Sequence, residues 1–97
     1  MNEFQIMAAK TTLKNMFDGK RYFDICTVDK LLKLTGCIPN AKDYQALSAL
    51  HCVHWMDMEP ELRQMVMLKT LQMFEHSGFD MKVIENVFLN ESTALLN

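Results

Sequence analysis

The sequence predicts a mainly α protein: a compact bundle of about five short helices, with a minor two-stranded β element near residues 20–26. Three observations predict it. Apolar residues recur every three or four positions in successive segments of the 97-residue chain. The helix-ending and turn-forming residues Gly19, Gly36, Pro39, Pro60 and Gly78 fall at the borders of those segments. Only Lys20 to Cys26, through Tyr22, Phe23 and Ile25, has the aromatic and β-branched density of a strand.

The first helix is expected over residues 3–18. Ile6, Ala9, Leu13, Met16 and Phe17 mark its inner face, Lys10, Lys14 and Asn15 point away, and Gly19 closes it. After the β-like stretch, Thr27 is read as an N-cap whose hydroxyl accepts an orphan backbone N–H. Asp29 follows in the first turn, where the helix dipole favours a negative charge. Val28, Leu31, Leu32 and Leu34 give this second helix its apolar side, and Gly36 stops it. Pro39 disfavours helix at Ile38, and Asn40 caps a third helix predicted over residues 41–55, with Tyr44, Leu47, Leu50 and Val53 on one face. Pro60 belongs at the first position of a fourth helix, because its missing N–H costs nothing there. That helix spans residues 60–76. Its apolar residues go most of the way round, so it is either central or exposes part of its apolar surface to a partner. Asp80 caps a last helix over residues 81–89, and residues 90–97 read as a fraying tail.

Composition narrows the function. Hydrophobic residues make up 49% and charged residues 23%, ordinary values for one folded domain spanning residues 1–97. Such a length leaves no room for separate cofactor and substrate domains. The first ten residues have no basic stretch ahead of an apolar run, and no stretch reaches the ~18 apolar residues of a membrane helix. A soluble, cytoplasmic protein is therefore expected. Three cysteines, Cys26, Cys37 and Cys52, form no disulfide framework and read as buried thiols in a reducing compartment. The nine methionines read as core filling, although methionine also serves adaptable binding surfaces.

Charge is placed unevenly. Residues 1–42 carry a net +3 and residues 43–97 a net −5, which together make the overall −2. Such asymmetry either keeps one domain soluble or presents an acidic surface to a basic partner.

Little in the sequence points to catalysis. His51 and His54, three apart on the predicted helix, share a face and could reach one metal, with Cys26 and Cys37 completing the set. The isolated cysteines argue against it, since structural zinc sites bring ligands in close pairs. Neither a metal nor another cofactor is expected. Cys52 as a nucleophile would need a base within reach, and its helical neighbours diverge from it. Gly19, Gly36 and Gly78 are scattered, so no phosphate loop is present. A non-enzymatic role is expected.

Two binding readings follow. Residues 27–50 have the outline of a helix-turn-helix, which would make the chain a small DNA-binding regulator using Lys10, Lys14, Lys20, Arg21, Lys30, Lys33 and Lys42 against phosphates. The long, Pro39-containing turn and the acidic total fit that outline poorly. The other reading centres on the acidic half, where Asp57, Glu59, Glu61, Glu75, Asp80 and Glu85 are the candidate partner-binding residues.

The segments Phe23-Asp24-Ile25-Cys26-Thr27-Val28-Asp29-Lys30-Leu31-Leu32 and Leu50-His51-Cys52-Val53-His54-Trp55 carry one further impression. In a small helical chain acidic in one half, they resemble the short accessory proteins of phages and other mobile elements, of the anti-CRISPR inhibitor class. That class shares no common motif, so no functional residue is carried over. The resemblance implies a protein partner with a basic surface, a CRISPR effector complex in a bacterial cytoplasm. It also implies a block on target DNA binding, in some members by mimicking DNA with acidic side chains. It requires the acidic residues to be exposed, with several on one surface.

Overall fold

A computed structural model describes residues 2–84. Four α-helices make up most of it: α1 (Glu3–Phe17), α2 (Ile25–Leu34), α3 (Ala41–Ala46) and α4 (Pro60–His76). Single 3₁₀ turns lie at Trp55–Asp57 and Met81–Val83. The short-helix bundle expected from periodicity is what forms.

Helix starts are set by capping chemistry, with one correction to the expected caps. Asn2 and Gln5 form a reciprocal capping box at the start of α1: the Asn2 side chain accepts from Gln5 N–H, and the Gln5 side chain accepts from Asn2 N–H, each at 2.9 Å. Asn40 caps α3 by accepting from Asp43 N–H, and Pro60 opens α4. Asp80, expected to start a full helix, caps the Met81–Val83 turn; the rest of that predicted helix, residues 85–89, and the tail lie outside the described residues. Thr27 is not the cap of α2. Asp24 is, its carboxylate accepting from Cys26 N–H at 2.8 Å, so α2 begins one turn earlier and Thr27 lies inside it.

The largest departure is the third helix. It ends at Ala46 instead of running to Trp55. Beyond it, Leu50 C=O accepts from Ile25 N–H, and Val53 exchanges two hydrogen bonds of 2.8 Å with Phe23. These form an isolated antiparallel bridge, the minor β element expected near residues 20–26. Pairing with Phe23 satisfies both backbone groups of Val53 and leaves Trp55 in the core. Trp55 is 1% exposed, its ring centroid 5.0 Å from Phe17 and 5.8 Å from Phe23.

Buried apolar side chains form one cluster. Ala9, Leu13, Met16 and Phe17 of α1 meet Ile25, Val28, Leu31 and Leu32 of α2, and Val66, Met67, Met73 and Phe74 of α4 complete it. Helix α3 packs against α4, where buried Asp43 bonds His76 Nδ1 at 2.7 Å. At the end of α1, Gly19 has φ +77°, and a Cβ there would lie 2.7 Å from Met56 Cγ; glycine lets the chain turn and Met56 approach. No helix of the described residues is long and apolar enough to cross a membrane.

Candidate functional site

The bridge between Phe23 and Val53 has a chemical consequence. It brings the start of α2 against residues 50–53, so Asp24, Cys26, His51 and Cys52 converge from two distant parts of the chain. Cys26 Sγ is 3.6 Å from His51 Nδ1, and that same nitrogen is 3.7 Å from Asp24 Oδ1. Cys52 donates from Sγ to Asp24 Oδ2 at 3.2 Å. One ligand atom from each of Asp24, Cys26 and His51 lies within 4.8 Å of the other two.

Backbone geometry supports this placement. Cys52 has φ +51°, a left-handed conformation uncommon outside glycine, asparagine and aspartate. It turns the thiol toward the Asp24 carboxylate and lets the chain re-enter the bridge at Val53. Asp24 is central to the electrostatics. Partial burial pushes its carboxyl up, but the Cys26 N–H, the Cys52 thiol, His51 and the Cys52 N–H together pull it below its ordinary 3.8. The same carboxylate holds the Cys52 thiol above its ordinary 9.0, first by accepting its hydrogen bond and then by its charge. Beside them, burial pushes the Tyr44 hydroxyl up, and the charge and hydrogen bonding of Cys26 push it further.

The metal-ligating set weighed from the sequence is therefore regrouped. His51 and His54 do not share a helix face, because residues 50–54 are not helical. His54 instead meets the Tyr22 ring at 5.5 Å and Asp57 at 3.4 Å. Cys37 receives the Thr35 hydroxyl, apart from the cluster. Asp24 was missed because it reads as a surface charge; its place just before a helix and beside Cys26 was the available signal. A nucleophile–base–orienter relay uses both nitrogens of a histidine. Here one nitrogen faces both partners, an arrangement of converging donors.

The acidic residues are also placed. Asp57, Glu59, Glu61, Glu75 and Asp80 are all exposed, and Glu85 lies outside the described residues. Asp80 is engaged as a cap and Asp57 lies near His54. Among the described residues, no Lys or Arg of the first half pairs with a carboxylate of the second; the Lys–carboxylate bridge present, Lys33–Asp29, is internal to the first half. Glu61 and Glu75 lie about 21 Å apart along α4 but within about 40° around its axis. Between them on that side stand Met65 and Leu68, each 53% exposed, with Leu62 alongside at 40%. Helix α4 thus does both things its periodicity allowed: it buries Val66, Met67, Met73 and Phe74, and it shows solvent an apolar stripe closed by a carboxylate at each end.

The helix-turn-helix outline changes in the fold. Residues 35–40 form a long connection, and α3, the would-be recognition helix, has six residues with Asp43 buried against α4. That leaves less than two turns to enter a groove. No family model, no curated protein and no solved structure matches the chain.

Proposed function

We propose that this chain is a non-enzymatic protein-binding inhibitor that docks through the outer side of α4. The observation that supports it is the exposed stripe Glu61–Met65–Leu68–Glu75, an apolar centre between two carboxylates that no described Lys or Arg neutralises. Exposed apolar patches rimmed by charge are the usual form of a protein-binding surface. The partner that complements it has an apolar strip flanked by cations, as along the nucleic-acid channel of a basic complex. In its specific form, the partner is a CRISPR effector complex in a bacterial host, from which the inhibitor keeps target DNA. Glu59, just before α4, and Asp57, in the turn that precedes it, extend the acidic end.

The test is retention of target DNA by a panel of purified CRISPR effector complexes, measured by gel mobility with and without the protein. Loss of the DNA complex with one effector, restored by E61K/E75K or by M65K/L68E, is the expected result. Unchanged DNA binding across the panel overturns the CRISPR-directed reading. Direct, steeply salt-dependent DNA binding by the chain itself would favour a regulator instead.

A further inference from the structure

We infer that Asp24, Cys26, His51 and Cys52 form a zinc site that fastens the start of α2 to residues 50–53. Nothing in the α4 reading requires it, and the two stand or fall separately.

The donor set is the first argument. Two thiols, an imidazole and a carboxylate are the ligand types zinc takes, and a mixed sulfur, nitrogen and oxygen set selects it over calcium and magnesium, which take oxygen. Geometry is the second. With metal–sulfur and metal–nitrogen lengths of about 2.3 and 2.0 Å, two ligands of a tetrahedral zinc stand about 3.5 Å apart. Cys26 Sγ and His51 Nδ1 are 3.6 Å apart, and His51 Nδ1 and Asp24 Oδ1 3.7 Å. Asp24, Cys26 and His51 lie together within 4.8 Å; Cys52 lies outside that group, hydrogen-bonded to the other oxygen of the carboxylate, and turns in as the fourth ligand when the metal displaces its proton. Topology is the third. The ligands come from two segments more than twenty residues apart, held in register by the Phe23–Val53 bridge, so the site is part of the tertiary fold and not an accident of neighbouring residues.

Binding proceeds with simple balance. Cys26 and Cys52 each exchange a thiol proton for the metal, the protons pass to buffer, and neutral His51 donates its ring lone pair. No electron transfer is involved. Because the metal binds the folded chain and crosslinks two segments, it raises the melting temperature in a concentration-dependent way.

The experiment is titration of the reduced, metal-free full chain with Zn²⁺ against a chromophoric chelator, with Co²⁺ as spectroscopic probe. One equivalent of Zn²⁺, a raised melting temperature, and cobalt spectra with tetrahedral d–d bands and thiolate charge transfer are expected. Cys26→Ser and His51→Ala should each weaken binding by at least about 100-fold, beyond the range for outer-shell partners. Cys52→Ser should roughly halve the thiolate charge-transfer intensity. Cys37→Ser and His54→Ala should bind as the parent does. Absence of stoichiometric Zn²⁺ binding, or of thiolate charge transfer in the parent's cobalt spectrum, overturns the site whether or not any variant folds. Parent-like binding by Cys26→Ser or His51→Ala overturns it equally, and unchanged intensity in Cys52→Ser removes Cys52 as the fourth ligand.

Discussion

Helix α1 and the segment from Leu47 to Glu59 hold the same aromatic cluster from two sides, by different means. Phe17 ends α1, and Trp55 lies in the segment; their rings meet at 5.0 Å with Phe23 beside both. Helix α1 is organised by contacts three and four residues away, starting with the Asn2–Gln5 box. Residues 47–59 have only isolated turns of local order, at Leu47–Leu50 and His54–Met58. Between those turns, the hydrogen bonds of Leu50, Cys52 and Val53 run to Ile25, Asp24 and Phe23, and a left-handed Cys52 is tolerated there. Local order survives partial unfolding, whereas long-range order is lost with the partner. The segment is therefore the part of the molecule most dependent on the rest, and the part a bound metal would stabilise most.

The sharpest way to break the comparison is at Trp55. Trp55→Ala removes the largest of the side chains, with Leu47 and Met58, by which the segment enters the core and should cost about 3–5 kcal/mol in urea denaturation. Trp55→Phe should cost clearly less, because the buried indole N–H, which finds no partner among the described residues, disappears with the substitution. Next comes Asp24→Ala, which removes the α2 cap and the acceptor of the Cys52 thiol. A loss of about 1–2 kcal/mol is expected, with amide exchange accelerating at residues 50–53 as well as at Cys26. Asn2→Ala tests the opposite case. It should cost about 0.5–1 kcal/mol and loosen only the first turn of α1, leaving exchange at residues 50–53 unchanged.

The smallest effect lies at Lys33 and Asp29, an exposed pair one helical turn apart at 2.9 Å. The hydrogen bond from Lys33 to Asp29, and then the Asp29 charge, hold the lysine above its ordinary 10.5. A raised folded-state value stabilises fully below 10.5, and the contribution is lost as pH rises through the raised value. Asp29→Asn should therefore leave a slightly shallower decline of stability in the alkaline range than the parent shows, and no difference should remain above it. Melting temperature against pH reads it.

Much of the fold was legible because it is encoded locally. The starts of α3 and α4 at Asn40 and Pro60, and the closing glycines at 19, 36 and 78, follow from side chains that satisfy or release backbone groups within a turn. The cap of α2 was misplaced by three residues because Thr27 and Asp24 offer the same chemistry, and only Asp24 is also needed by Cys52 and His51. The outer stripe of α4 was legible as an excess of apolar positions but not as a surface. Which of Leu62, Val66, Leu68 and Met73 turns inward depends on where α1 and α2 lie.

By itself, the sequence determined the mainly helical class, most helix ends and the separation of charge into a basic and an acidic half. Periodicity and capping act over a few residues, and charge can be counted without a fold. Only the tertiary structure decided that residues 47–59 leave the helix, since Ser48-Ala49-Leu50 is as compatible with helix as with a turn and the Phe23 backbone tips the balance. That same choice parted His51 from His54 and set His51 beside Cys26 and Asp24. A site whose donors come from two segments has no spacing to read along the chain; it exists only once the bridge between those segments has formed.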